Sequence, residues 1–522
     1  MKHQRLQISV LFIIILLLTE GVNAQLNNNP VKKPPPNIIV FIVDDMGWQD
    51  CSVSFYKEKT KWNTIYNTPN MEKLAAEGMK FTNAYATPVC SPSRISLMTG
   101  MNAARHRVTN WTLEKNKSVD YPDSLLQPPE WNINGMSPVA GVEKTVYATA
   151  LPELLKQAGY YTIHCGKAHF GAIETPAADP LNIGFDINIA GHAAGSPGSF
   201  LAEENYGNKK NEYTPPRGVP GLTNYHGTDT FLTEALTIEA IKALEVPVKN
   251  KQPFFLYMSH YAVHIPFAPD KRFIQKYIAK GLPQKEAEYA ALVEGMDKSL
   301  GDLMAYLDKN KLNDNTVILF VSDNGGFSLA PRVGKTFTHN SPLRAGKGSV
   351  YEGGIRVPML VKYPGMIQPG SVMSHPVIIE DFFPSVLELA GVKNYKKVQQ
   401  VDGKSFVPML YNSKKINTER NFLWHFPNKW IPEEGNGVSW VSAIRRGTWK
   451  LIYFHKTGKL ELYNIETDIS EAKELSEIYP AKLNQMIQYL SMSLKNKNAQ
   501  MPVFKNTDTK VPYPSALIKK TK

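Results

Sequence analysis

The chain has 522 residues, 43% of them hydrophobic and 20% charged, with a formal net charge of +12. This is the balance of an ordinary globular protein with a large core, and it excludes a low-complexity or fibrous polymer. Three cysteines, an odd and sparse set, exclude a disulfide framework, and the scattered lysines, gathered only in the tail from 495 to 522, lack the aromatic interleaving of a nucleic-acid surface. The positive balance suits an anionic partner or a simply solvated surface.

Lys2 and Arg5 precede an apolar run at 8–18, and Val22-Asn23-Ala24 supplies small residues before Gln25. This predicts a secretory signal peptide over 1–24, an exported mature chain, periplasmic or secreted, and no stable membrane anchor, the apolar run being too short to span. A proline-rich linker at 25–36 leads into residues 37–43, a continuous apolar run that reads as a buried parallel strand ending at Asp44 and Asp45. The pattern returns at 316–321, ending at Asp323 and Asn324, at 254–258, leading to His260 and His264, and at 160–163, leading to Lys167 and His169.

Helical patterns over 71–77, 149–158, 231–244, 289–309 and 381–389 alternate with these strands. The expected fold class is therefore α/β, a mostly parallel sheet sandwiched by helices, occupying 37–420. Beyond 420 the segments 441–445, 449–454 and 460–463 read as an antiparallel meander with a last helix over 480–494, a smaller α+β subdomain and tail occupying 421–522. Two long stretches rich in Gly, Pro, Asn and Tyr, 109–137 and 171–227, are expected to wall a cleft.

Ligands of open α/β sheets bind beyond the carboxyl ends of the strands, where four strands deliver polar groups. Asp44, Asp45, Asp323 and Asn324 make an oxygen-only set, which selects calcium, with magnesium as the alternative, over zinc. In 89–100, Pro92 can sit in a first helical turn, Ser91 and Ser93 can cap it, and Arg94 follows one turn in. Cys90 is thus expected at a helix mouth suited to an anion. An isolated cysteine is otherwise a small buried hydrophobe.

Cys90-Ser91-Pro92-Ser93-Arg94, with Thr99-Gly100 beyond it, resembles the C-x-P-S-R signature of the type I sulfatases. Asp44 to Asp50 and Ser322-Asp323-Asn324-Gly325-Gly326 resemble that family's two metal half-sites. Gly166-Lys167-Ala168-His169-Phe170-Gly171 is similar to its G-K-x-H-x-G segment, with Ala168 where Trp is usual, and the segment around His264-Ile265-Pro266-Phe267 is similar to its P-H-x-P-F segment, with Val263 replacing the first proline. Residues 346–358, including Lys347, and Glu461-Leu462-Tyr463-Asn464 match further stretches of the family.

The resemblance implies an alkaline-phosphatase-like fold and a sulfuric ester hydrolase. It further implies oxidation of Cys90 to formylglycine (3-oxoalanine) by a sulfatase-maturing enzyme, and one divalent cation on Asp44, Asp45, Asp323, Asn324 and residue 90. Arg94 and Lys167 would hold the nucleophile and neutralise sulfate, Lys347 would bind sulfate oxygens, His264 with Lys347 would protonate the leaving oxygen, and His169 would take a proton from the second hydroxyl of the hydrated aldehyde. The implied substrate is a sulfated polysaccharide or its oligosaccharides, with algal ulvan and carrageenan ahead of glycosaminoglycans. His192 and Arg332 are expected glycan contacts, and Cys51 and Cys165 could pair or stay free. The alternatives are a phosphonate or phosphate ester hydrolase of the same superfamily and a non-catalytic binder of sulfated glycans.

Overall fold

The strand β1 (Asn37–Val43) is buried along its whole length because apolar matter covers both its faces. Ile38, Val40 and Ile42 join one core cluster, and Ile39, Phe41 and Val43 join another, the division that period-two alternation produces in a covered sheet. The structure, a computed structural model, describes residues 34–518 except 211, 331, 412–418 and 434. The expected signal peptide and most of the expected linker lie outside the described residues. No helix among the described residues is long and apolar enough to cross a membrane.

In chain order the central sheet continues with β2 (Met79–Tyr85), β3 (Tyr161–Gly166), β4 (Ile187–Ile189), β5 (Phe254–Ser259), β6 (Thr316–Ser322), β7 (Arg356–Lys362) and β8 (Ser371–Met373). Their spatial order is β8-β2-β7-β6-β1-β5-β3-β4. β1 pairs in parallel with both β5 and β6, and β3 pairs in parallel with β5 and β4. Only β7 runs against its neighbours β2 and β6. The helices α1 (Pro69–Glu77), α2 (Cys90–Thr99), α3 (Leu151–Gln157), α4 (Leu232–Lys249), α5 (Gln284–Lys309) and α6 (Phe382–Leu389) cover the sheet. Residues of α2, α3 and α6 enter one core cluster, and residues of α1, α4 and α5 enter the other.

Two central strands fall outside the sequence expectations, for physical reasons. β2 mixes Lys80, Thr82 and Asn83 with its apolar residues, and β7 carries Pro358, a residue usually kept out of interior strands. A register irregularity between Val357 and Met359 accommodates that proline.

Past residue 420, the strands β9 (Asn421–Phe426), β10 (Val441–Arg446), β11 (Trp449–Phe454) and β12 (Leu460–Asn464) form an antiparallel sheet in sequence order. The helix α7 (Pro480–Asn496) packs Met486, Ile487, Leu490 and Leu494 into that sheet's core. A buried charge network joins the two sheets. Glu352 bonds Lys450 of β11 through one oxygen (2.8 Å) and both Arg356 of β7 (2.8 Å) and Tyr85 of β2 (2.7 Å) through the other. Lys450 lies 2.8 Å from Glu471 as well, and Arg445 of β10 bonds the Tyr85 hydroxyl. Burial raises the Glu352 carboxyl, but Lys450 and Arg356 outweigh it and hold the group below the usual carboxylate range.

Removing one member of such a network strands the rest without water. Lys450→Met is expected to lower stability by about 3–5 kcal/mol, read as a lower urea midpoint at unchanged slope. A midpoint equal to that of the wild type would show that the network contributes nothing.

Candidate active site

Parallel pairing of β5, β1 and β6 sets their carboxyl ends along one edge of the sheet. Asp44 and Asp45 follow β1 there, Asp323 and Asn324 follow β6, His264 follows β5, and Lys167 and His169 follow β3. Backbone bonds lock these ends together: Asp44 N–H donates to the Ala262 carbonyl, Val263 N–H to that of Asp44, and Asp323 N–H to that of Val43. Asp45 and His169 adopt left-handed backbone (φ 61° and 59°), a region Asp and His enter more readily than most side chains.

One ligand atom from each of Asp44, Asp45 and Asp323 lies within 4.8 Å of the others, and all three carboxylates are buried. Three cations answer them. Lys167 donates to Asp44 (2.8 Å), Lys347 to Asp45 (2.8 Å), and Arg94 Nε to Asp323 (2.8 Å). Nη1 of Arg94 donates to Ser259 Oγ (2.6 Å) and the Lys167 carbonyl (3.0 Å), while Nη2 lies 2.8 Å from Asp323 Oδ2 without a hydrogen bond among the described residues, so the fork holds Asp323 in place. Burial, then the nearby Asp323 and Asp45, raise the Asp44 carboxyl well above its ordinary value despite Lys167. Burial acts the same way on Asp45, but Lys347 prevails and lowers it.

Two oxygens of this cluster, Oδ1 of Asp44 and Oδ1 of Asn324, are buried without a hydrogen-bond partner among the described residues. Buried acceptors in folded proteins are nearly always satisfied, by a hydrogen bond or by a cation. With an all-oxygen donor set, the residues fit a hard divalent cation.

Cys90 opens α2 beside this cluster. Val89, in extended conformation, is the capping position, and no side chain caps the helix. The expected serine caps are therefore corrected: Ser93 Oγ accepts from Thr87 N–H (2.9 Å) and Ser91 Oγ from Thr112 N–H (3.2 Å), fastening α2 to its approach and to the loop around Thr112. Burial raises the Cys90 thiol, partly offset by Lys167 and Lys347.

A cavity of about 430 Å³ opens over Cys90, with His169, His264 and Lys347 also on its wall. The Nε2–H of His169 faces the Thr112 carbonyl (2.8 Å), which fixes the proton there and leaves Nδ1 as a buried, unpartnered lone pair. Gly195 explains the close fit, since a Cβ there would lie 2.4 Å from the His169 ring. In His264, Nδ1 pairs with the Ile265 carbonyl (2.7 Å) and Nε2 lies 3.6 Å from Asp45. Burial, then Lys347, push this imidazole down to about 3.

Two expected contacts are corrected. Arg332 is buried among Glu286 (3.0 Å), Tyr66 (2.8 Å) and Asp50 (3.4 Å), with its guanidinium 4.0 Å from the Tyr289 ring centre. It is a core ion pair without a face toward a glycan. His192 is buried too, bonded through Nδ1 to Tyr261 (2.9 Å), and it serves the site through its carbonyl, which accepts from His169 N–H. Asp50 accepts from Gly47 N–H and the Tyr289 hydroxyl, which makes it a structural carboxylate. Cys51 and Cys165 are buried and free.

The long loops do reach the cavity: 109–137 supplies Trp111 and Leu113, and 171–227 supplies Gly195, Ser196, Pro197, Gly198 and Arg217. Arg217 and Trp430 escape sequence reasoning. The seat of Trp430 is legible only in three dimensions, since a Cβ on Gly348 would lie 2.0 Å from its ring.

Comparison with known proteins agrees with this geometry. A family model described as Sulfatase matches residues 36–392, and one described as N-sulphoglucosamine sulphohydrolase, C-terminal, matches 346–500. A sulfatase of Formosa agariphila is 32% identical, covering 92% of each chain. N-acetylgalactosamine-6-sulfatase of Homo sapiens is 32% identical over 73% of this chain and 67% of its own. The crystal structure of Ps i-CgsB in complex with k-i-k-neocarrahexaose superimposes with a TM-score of 0.66 at 28% identity, covering 89% of this chain and 93% of that one. The sheet, its acidic edge and these matches agree: the chain belongs to the sulfatase family, with its alkaline-phosphatase-like fold, and is a sulfuric ester hydrolase.

Proposed function

We propose that the protein is an exported enzyme that removes sulfate esters from a sulfated polysaccharide or its oligosaccharides, with Cys90 matured to formylglycine by a partner enzyme. The observation that carries this reading is the placement of Cys90 on the floor of a cavity, beside three buried carboxylates and within a wall that includes His169, His264 and Lys347. A catalytic part over 37–420 would hold the chemistry, and the part from 421 onward would add Trp430 to the cleft. The likeness to Ps i-CgsB, whose structure holds k-i-k-neocarrahexaose, supports a sulfated galactan such as carrageenan, with ulvan as the other algal choice.

Asp44, Asp45, Asp323 and Asn324, with residue 90, would hold one calcium or magnesium ion. Such a cation lowers the pKa of a bound hydroxyl and draws charge from sulfate oxygens. The hydrated aldehyde of a matured residue 90 would supply the attacking hydroxyl. Arg94 keeps Asp323 oriented, and Lys167 keeps Asp44 oriented while adding positive charge beneath the floor. Lys347, which Asp45 holds protonated against the pull of burial, reaches the cavity wall as a cation for sulfate oxygens. The negative charge of a bound sulfate ester would raise the His264 imidazole from its low value, and His264 with Lys347 would then deliver a proton to the departing sugar oxygen. His169, with its proton fixed on Nε2 by Thr112, presents Nδ1 as the base that takes a proton from residue 90.

Sulfate release from algal galactan and ulvan oligosaccharides, followed by ion chromatography, should fall by roughly a thousandfold or more in Cys90→Ala, and mass spectrometry of the peptide carrying residue 90 should find an aldehyde where the thiol was. Turnover by Cys90→Ala equal to the wild type would sink the reading. Chelation should lower the melting midpoint, and free calcium at about a hundred times its dissociation constant should restore about 2.7 kcal/mol of stability. In Asp44→Asn/Asp323→Asn the calcium-dependent rise should vanish; a rise of the same size there would place the ion elsewhere.

A further inference from the structure

The cavity over Cys90 has a second cation that the chemistry above does not use. Arg217 lines it together with the apolar side chains of Trp111, Leu113, Pro197, Phe327 and Trp430. Among the described residues, no carboxylate lines this cavity. The only hydrogen bond of the Arg217 side chain among the described residues goes to Ser196 Oγ. Arg217 is exposed to solvent at the cavity, and it differs from partly buried arginines such as Arg272 and Arg420, which bind the carboxylates of Asp270 and Asp381.

The backbone beneath Arg217 is built rather than loose. Its carbonyl accepts from Gly198 N–H (2.6 Å), and Gly218 N–H donates to Thr214 (2.9 Å). Gly218 has no room for a side chain, since a Cβ would lie 2.1 Å from Asn208 Oδ1. A guanidinium fixed at its root, free of carboxylates and set among apolar side chains is a preorganised receptor for an anion. Trp430, on the same cavity, lies against Gly348, with its backbone N–H bonded to Ser439 Oγ (3.0 Å), so this aromatic side chain is fixed as well.

We propose that Arg217 is a specificity-determining residue that binds a second anionic group, a carboxylate or a further sulfate, on the sugar bearing the scissile ester or on the next sugar, while Trp430 covers the apolar face of the ring. This rests on the reading of the cleft as the sulfatase site. It selects glycans with two charges near each other over those with an isolated sulfate.

The test uses three oligosaccharides of equal length: one with a single sulfate, one with two, and one with a single sulfate plus a uronate. The wild type should favour at least one doubly charged substrate in kcat/KM, and which one it favours tells sulfate from carboxylate. In Arg217→Ala that preference should shrink by roughly ten- to hundredfold, the size expected for a charge-assisted hydrogen bond. Arg217→Lys should restore part of it, as a point charge without the planar fork. A preference unchanged in Arg217→Ala, or no preference in the wild type, overturns the inference alone. A matured wild type that releases no sulfate from any of the three or from an aryl sulfate overturns the sulfatase reading and the inference with it.

Discussion

Three carboxylates buried within 4.8 Å of one another set the terms for everything around them. At an effective dielectric near 20, a pair of like charges 4.8 Å apart repels by about 3.5 kcal/mol, so the cluster depends on the cations that meet it. Arg94 comes from α2, Lys167 from the end of β3 and Lys347 from the segment before β7. Each pair therefore fastens a different part of the chain to the edge of the sheet. The compensation is incomplete, and its incompleteness is informative. Among the described residues Asp44 Oδ1 and Asn324 Oδ1 have no hydrogen-bond partner, and both are hard oxygen donors of the kind a divalent cation takes.

The parallel sheet makes this crowding reachable. β1 sits between β5 and β6 with its carboxyl end beside theirs, so acidic residues far apart in the chain arrive at one place. Loops then shape the space above. Thr112 fixes the His169 proton, Gly195 gives that ring room, and Gly348 seats Trp430 from the second sheet's side of the cleft. The network around Glu352 ties the two sheets together, so Trp430 stands on a framework continuous with β7.

What the sequence makes legible follows from what it encodes locally. The apolar runs of β1 and β6 are unmistakable because both faces are buried, and their acidic ends mark the edge where the carboxylates gather. β2 and β7 are obscured by polar residues and by Pro358, which pairing partners and a register irregularity render tolerable. Arg332 and His192 have the side chains expected of sugar contacts, yet their burial depends on Glu286, Asp50 and Tyr261, partners the linear chain does not reveal. Arg217 and Trp430 are missed for the opposite reason. Their importance lies in the cavity they share, and nothing beside them in the sequence announces it.

The most direct measurement is a crystal structure of Cys90→Ser grown with calcium and a sulfated galactan oligosaccharide. The account predicts a cation held by Asp44, Asp45, Asp323 and Asn324, with the ester sulfur above residue 90 and Lys347 and His264 on its leaving-group side. An oligosaccharide bound at another surface, with the three aspartates still paired only to Lys167, Lys347 and Arg94, would contradict it.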